Sequence, residues 1–324
     1  MSDQRDRHDE IEVVSTTRRG ITRRRFLVTS AKAGALAATG LGLACGKATP
    51  VMPDVVSAHG PNVVENTHAV IEALGGIEKF VRPGQVVNIL PNAQGSNPGT
   101  STNVDLVRTV VELCREAGAE KVCWLTWISG RYWEMSRIGD FVEASGAELV
   151  QVDAKDESQW RTVEVTNGVA LKKVRVFEAL WDGDVFINMP IFKDHIGSRF
   201  TGSLKNYMGA SHPEDNQAFH PTFEGDDVIH MEQCIADLNT IVRAPDLIVA
   251  DAMTVLTSNG PFGPGDIAEP KRVVAGVDRV ACDAYGAGIL GLNGPDVTMI
   301  RKSHEHGLGK IDLATVNVKE LEAV

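Results

Sequence analysis

The sequence predicts an α/β fold: a mostly parallel or mixed sheet covered by helices on both faces, with a long polar loop at the C-terminal ends of the strands. Three observations predict it. Short β-branched apolar runs alternate with stretches of helical apolar spacing. The connections between them are short through the first half, as in repeated βα units. A hydrophobic content of 43% over 324 residues is enough for a sizeable core.

Residues 1–50 are set apart from the fold as an export signal. Thr22-Arg23-Arg24-Arg25-Phe26-Leu27 matches the twin-arginine consensus, and the Ala/Gly-rich run to Ala44 is too weakly apolar to span a membrane. The twin-arginine translocase is therefore the expected partner during export, and the periplasm or another extracytoplasmic space the expected location. Leu43-Ala44-Cys45-Gly46 has the form of a degenerate lipoprotein site, with Gly42 where a leucine is usual. Two outcomes stay open: a lipid on Cys45 as the one link to a membrane, or plain cleavage between Cys45 and Pro53. Residues 51–324 are expected to form a single α/β domain, with two lobes split near residue 180 as the alternative.

The elements follow in order. Asp54–Ala58 reads as a strand and Val63–Leu74 as a helix. Gln85–Leu90 is a strand after the turn Arg82-Pro83-Gly84. Pro91–Thr102 is loop by composition. Val104–Ala117 is an amphipathic helix with Asn103 as its N-cap. Lys121–Trp127 is a strand, Met135–Ser145 a helix and Glu148–Val152 a strand. Val163–Val165 and Ala170–Val174 suggest a hairpin around Asn167-Gly168. Val176–Leu180 reads as a short helix and Asp184–Met189 as a buried strand. Lys193–Asp227 is read as a long polar loop, a length that is usually functional or disordered. Helix Val228–Val242, strand Asp246–Ala250, the Gly/Pro loop Ser258–Asp266, strand Arg272–Val277 and helices Arg279–Leu290 and Val297–His304 complete the reading.

Charge narrows the partners. The chain carries 32 basic and 43 acidic residues, a net charge of −11. Residues 1–44 hold eight of the basic and five of the acidic residues, so the balance without them deepens to −14. An acidic surface disfavours nucleic acid and anionic lipid. The five cysteines are widely spaced and form no Cys-x-x-Cys pair, which argues against a disulfide framework and against an iron–sulfur cluster.

The densest polar constellation follows strand Asp184–Met189. It comprises Lys193, Asp194, His195, Ser198, Thr201, Lys205, Asn206, His212, Glu214, Asp215, His220 and His230. In open α/β sheets ligands bind outside the carboxyl ends of the strands. Four of the nine histidines fall here, and imidazoles with carboxylates suit a divalent metal. The spacings match no standard metal motif, so three readings stay open: a metal, an anion or phosphate held by the lysines, and a plain polar loop. For a metal, the candidate ligands are His195, His212, His220, His230 and Asp251. Asp251 follows its strand beside Asn259-Gly260-Pro261, where Gly260 would let the backbone approach a ligand. Asn92 and Thr102 flank the loop before the helix at Val104, whose N-terminus would suit an anion; capping is the bland alternative. Asp278 and Asp283 are expected to cap helix Arg279–Leu290 or to pair locally.

At these residues the sequence resembles the family known as domain of unknown function 362, from about Val55 to Val318. The marks are Arg82-Pro83-Gly84 with Pro91-Asn92, Glu116-Ala117-Gly118-Ala119, and Phe186-Ile187-Asn188-Met189-Pro190 with Lys193 and His195. They continue with Thr201-Gly202-Ser203-Leu204-Lys205-Asn206, Gly209, Asp251, Asn259-Gly260-Pro261, Gly265, Asp278, Val280-Ala281, Asp283 and Gly307-Leu308-Gly309. The resemblance implies a shared site built from Lys193, His195, Lys205, Asn206 and Asp251, and implies little about the reaction. Many members add a ferredoxin-like segment with cysteine-rich motifs that this chain lacks. Members often have lysine where this chain has Leu90. More distantly, the N-terminal half is similar to the front domain of nickel-pincer lactate racemases, an analogy of fold alone.

Two functions fit this reading. One is an exported enzyme or redox protein whose site binds a metal or an anionic cofactor, with Lys193 and Lys205 neutralising charge. In it His195 acts as ligand or acid/base, Asn206 orients the ligand, and Asp251 binds the metal or assists His195. The other is a non-catalytic periplasmic carrier for a small anion, metal or cofactor, which would bind without turnover. A third, an interaction module, would leave His195 dispensable.

Overall fold

The structure, a computed structural model, describes residues 52–220 and 228–323. The readings placed on residues 1–50, Cys45 among them, fall outside the described residues.

The chain opens with β1 (Val55–His59), α1 (Val63–Ala73), β2 (Val86–Pro91), α2 (Val104–Glu116) and β3 (Lys121–Thr126). Next come α3 (Gly130–Ser136), α4 (Ile138–Ser145) and β4 (Glu148–Gln151). The single helix expected over Met135–Ser145 is two, because Arg137 takes a left-handed conformation, φ 55°, and ends one helix as it begins the other. The hairpin is real but shifted: β5 (Trp160–Glu164) pairs antiparallel with β6 (Lys173–Phe177). Val176 and Phe177, expected to be helical, bury themselves in that hairpin, and the helix shrinks to α5 (Ala179–Asp182).

After β7 (Val185–Met189) the expected polar loop is largely ordered structure. It folds as the hairpin β8 (Lys193–His195) and β9 (Arg199–Thr201), then α6 (Ser203–Asn206), 3-10 turns to Asp215, and α7 (Asn216–Phe219). Lys193, His195, Thr201, Lys205 and Asn206 are buried within it, which composition does not reveal. The rest runs α8 (Val228–Asn239), β10 (Leu247–Ala252), β11 (Val255–Leu256), β12 (Ile267–Ala268), β13 (Arg272–Gly276), α9 (Arg279–Ile289), α10 (Thr298–Glu305) and β14 (Val318–Glu322). The last strand was not expected. Its Val-Lys-Glu-Leu-Glu sequence is too charged to read as core, and it pairs parallel with β1 at the sheet edge.

Eight strands form one mixed sheet in the order β14-β1-β13-β10-β7-β2-β3-β4. Strand β13 runs antiparallel to β1 and β10, and the other neighbours are parallel. Strands buried on both faces read as near-continuous apolar runs, and their side chains alternate between two cores. On one face Val87, Ile89, Ile187 and Val249 meet Val70 and Ile71 of α1, Leu106 and Val110 of α2, and Ile138 of α4. On the other, Phe186, Ile248 and Ala250 meet Ile235 of α8, Val280 of α9, Met299 of α10 and the β5–β6 hairpin. Each such large side chain removed from water stabilises the fold by roughly 1.5–3 kcal/mol.

This topology fixes where a site can lie. The chain runs from β2 outward to β4, then returns to place β7 on the other side of β2. That reversal opens a crevice outside the carboxyl ends of β2 and β7. Pro91 pairs with Met189 at that end, so Asn92 and Pro190 leave the sheet side by side.

Candidate functional site

A ladder of buried amides lines the crevice. Asn188, on β7, donates to the Ser203 carbonyl and hydroxyl at 3.0 and 2.9 Å. Asn206 donates to Asn188 Oδ1 and to the Leu90 carbonyl, both at 2.7 Å. Asn92 donates to Asn206 Oδ1 at 3.1 Å and accepts from Lys193 Nζ at 3.3 Å. The ladder ties the ends of β2 and β7 to α6 and leaves each amide partnered, as burial requires. Thr102 closes the loop above it: its hydroxyl donates to the Met189 carbonyl at 2.8 Å and accepts the Asn92 N–H at 3.1 Å.

Period-two alternation along β8 puts Lys193 and His195 on one face and Asp194 on the other. Asp194 accepts the Gly260 N–H at 3.0 Å. Gly260 lies so close that a Cβ there would stand 1.8 Å from the Asp194 carbonyl oxygen. Its glycine therefore serves packing between the Gly/Pro loop and β8. Lys193 is fully buried, and its ammonium reaches four neutral oxygens: Thr100 O at 2.5 Å, Gln94 Oε1 and Pro261 O at 3.2 Å, and Asn92 Oδ1. Burial, and secondarily Lys205, lowers its pKa to about 7.

Lys205 is placed differently. It is 5% exposed, and among the described residues its amine hydrogen-bonds only the weak acceptor Met208 Sδ, at 3.5 Å. Burial lowers its pKa to about 8. His195 accepts the Gly197 N–H on Nδ1 at 3.0 Å, which puts the proton of the neutral ring on Nε2. Burial first, then Lys205, Lys193 and His220, hold its pKa well below the ordinary value. Burial and Lys205 lower His220 as well. Thr201, opposite Lys193 in the hairpin, has a buried hydroxyl with no partner among the described residues. So has Nε1 of Trp127, which follows the end of β3.

The turn that carries Lys205 and Asn206 is held from behind. Asp283 was expected to cap its own helix or pair locally; instead its two oxygens accept the N–H groups of Ser203 and Leu204, at 2.6 and 2.9 Å. Burial raises its pKa to about 7. Asp278 does cap α9, accepting from Val280 and Ala281 at 2.9 Å. Asn239 secures the far side by donating to the Leu204 carbonyl at 2.9 Å.

Three residues expected at the site stand apart from it. Asp251 caps α2 by accepting the Asn103 N–H, and also takes the Met253 N–H, each at 2.8 Å. Burial raises its pKa to about 6. His212 packs on Trp160, with Nδ1 accepting the Glu214 N–H and Nε2 at 3.0 Å from the Ala154 carbonyl. His230 lies on α8 with Nε2 at 2.8 Å from the Ala218 carbonyl and 3.4 Å from Cys234 Sγ. Among the described residues, no three His, Cys, Asp or Glu side chains could hold a metal ion together. The five expected metal ligands are thus not gathered into one centre. A cavity of about 260 Å³ opens away from the lysines, beside Asn103, Met253 and Thr254, and its charged lining residues Glu269 and Lys271 are paired at 3.7 Å.

Gln94, Asn188 and Asp283 were not named as site residues from sequence. Asn188 carried a signal: an amide within the apolar run Phe186–Met189 has to find a buried partner.

The sequence profile described as "Domain of unknown function (DUF362)" matches residues 87–288, which contain the whole of this crevice. The chain belongs to that family. A thylakoid-associated protein of Synechocystis is 24% identical over 250 residues, 76% of each chain. Among solved structures, the lactate racemase apoprotein of Thermoanaerobacterium thermosaccharolyticum superposes with a TM-score of 0.47 at 11% identity, over 72% of this chain and 56% of that one. A Thermotoga maritima protein gives 0.42 at 13% identity, over 75% and 58%. This DUF362 chain therefore spans little more than half of either solved structure. Among its described residues no helix is long and apolar enough to cross a membrane.

Proposed function

We propose that the crevice beyond β2 and β7 binds a small anion, and that the protein works on or carries that anion after twin-arginine export. One observation carries the reading: Lys193 and Lys205 are both buried, and no described carboxylate pairs with either; buried His195 and half-buried His220 lie within the field of Lys205. A buried ammonium without a counter-ion is costly. A bound anion would offset that cost and give the lysines back their protons. The donors with no oxygen or nitrogen acceptor among the described residues, Lys205 Nζ and His195 Nε2–H, are what an anion would use, and the Thr201 hydroxyl, without a described partner, adds a third. A metal cation fits this field poorly, since the two lysines would repel it and the carboxylate expected to balance it, Asp251, is spent on backbone N–H groups.

Whether the protein is an enzyme or a carrier turns on turnover. The site has the groups for proton transfer, two amines and an imidazole shifted from their usual ranges by burial. The test is calorimetric titration of the mature protein with inorganic phosphate and with propionate, beside Lys205→Met and His195→Gln. Binding of at least one probe is expected, weakened by both substitutions. Equal binding in all three proteins, or none in any, would remove the assignment.

A further inference from the structure

The two buried lysines are not chemically equivalent. Lys193 spends its three hydrogens on four oxygen acceptors and has no exposed surface, so it can neither turn nor react without breaking the ladder. Lys205 has no oxygen acceptor among the described residues; its amine faces a thioether. Burial weakens its hold on the third proton, so more of it is free amine near neutral pH than for an exposed lysine. It is also firmly aimed. The four-residue turn that carries it is fixed by Asp283 at its N-terminus, by Asn188 at Ser203 and by Asn239 at the Leu204 carbonyl. Close by in charge stands His195, pinned through Nδ1 and presenting Nε2–H.

Resting on the anion reading, we infer that Lys205 is a nucleophile that forms an imine with a small 2-oxo acid. The ligand's carboxylate sits in the field of the basic cluster while its carbonyl meets the amine. Lys205 Nζ attacks the carbonyl carbon and the carbon–nitrogen bond forms. The carbonyl oxygen then leaves as water, taking both hydrogens of the amine. Nothing is oxidised or reduced. His195 Nε2–H hydrogen-bonds the carbonyl oxygen and polarises it toward attack. Lys193 remains a fixed partner of the amide ladder.

The experiment uses the mature protein with pyruvate as probe, propionate as the carbonyl-free acid of the same carbon count, and cyanoborohydride to reduce any imine. Peptide mapping should find one modified lysine, Lys205, heavier by pyruvate less water plus two hydrogens. Exposed lysines such as Lys155 report background labelling. With its pKa near 8 against the ordinary 10.4, Lys205 carries roughly two-hundredfold more free amine at neutral pH. It should therefore be labelled far ahead of them. Lys205→Met should lose the adduct; because the mapping is made on the unaltered protein, a poorly folded variant does not compromise the result. Binding of both acids without an adduct, or an adduct spread over exposed lysines, would overturn the imine and leave the anion site standing. Binding of neither acid and none of inorganic phosphate, with no adduct, would overturn both.

Discussion

Two buried charges stand near the carboxyl ends of the adjacent strands β7 and β10, and their surroundings could hardly differ more. Asp251 on β10 has each oxygen on a backbone N–H, of Asn103 and of Met253. Lys205 on the turn beyond β7 has a thioether. From sequence both look like site residues, being charged, close to glycines and placed at strand ends. The structure separates them by what each has left to offer. A carboxylate whose lone pairs already cap a helix is part of the scaffold. An amine whose described partner is a thioether still has hydrogens to give. Burial of a charge is thus a poor mark of function; an unmet hydrogen-bonding demand is a better one.

The largest expected effect tests the scaffold half of that contrast. Asp251→Ala strands the buried Met253 N–H and the part-buried Asn103 N–H, and each unsatisfied group costs about 1–3 kcal/mol. A loss of about 2–6 kcal/mol in urea unfolding is therefore expected. A loss under about 1 kcal/mol would mean that the carboxylate is not structural, and the comparison would break on that side.

Lys205→Met should act in the opposite direction. The folded pKa of about 8 lies below the ordinary 10.4 of the unfolded chain. Between those values the unfolded chain binds a proton that the folded protein does not, so the stability of the unaltered protein rises with pH across that window. Below it, the full cost of charging the buried amine is present. Methionine removes that cost, so the variant should exceed the parent by up to about 3 kcal/mol near pH 7, at roughly 1.4 kcal/mol per pKa unit. The advantage should fade toward pH 10.5. Urea titrations at several pH values check this; a variant less stable than its parent at pH 7 would show that the amine has a partner after all.

The same contrast explains what was legible in the sequence. The strands β2, β7 and β10 and the helix α2 with its Asn103 cap were read correctly, because apolar periodicity and capping chemistry are local. That Lys193, His195, Lys205 and Asn206 follow the end of β7 was legible too, because the buried strand before them is read from its apolar run. What was not legible is where polar side chains turn. His212 and His230 are candidate metal ligands because four histidines crowd into one stretch, yet one packs on Trp160 and the other meets the Ala218 carbonyl. The polar residues of 193–206 read as loop, because nothing local says that Asn92, Asn188 and Asn206 will bond one another across 114 positions of chain. Arg137 gave no sign of its left-handed turn, and β14 is written in charged residues suited to a sheet edge.

The smallest effect sharpens the boundary between the two corners. Asn103 caps α2 with its side chain, accepting the Asp105 N–H at 2.9 Å, while its own N–H goes to Asp251. Asn103→Ala removes the first bond and keeps the second, so α2 loses one cap of two. Such a loss costs about 1 kcal/mol, readable as a shift in urea midpoint with an unchanged slope. Propionate and phosphate binding should not change, because Asn103 serves the same scaffold as Asp251 and touches neither lysine. If anion affinity fell together with stability, the helix cap and the basic crevice would be one coupled unit. Asp251 would then regain the functional role that its saturated oxygens argue against.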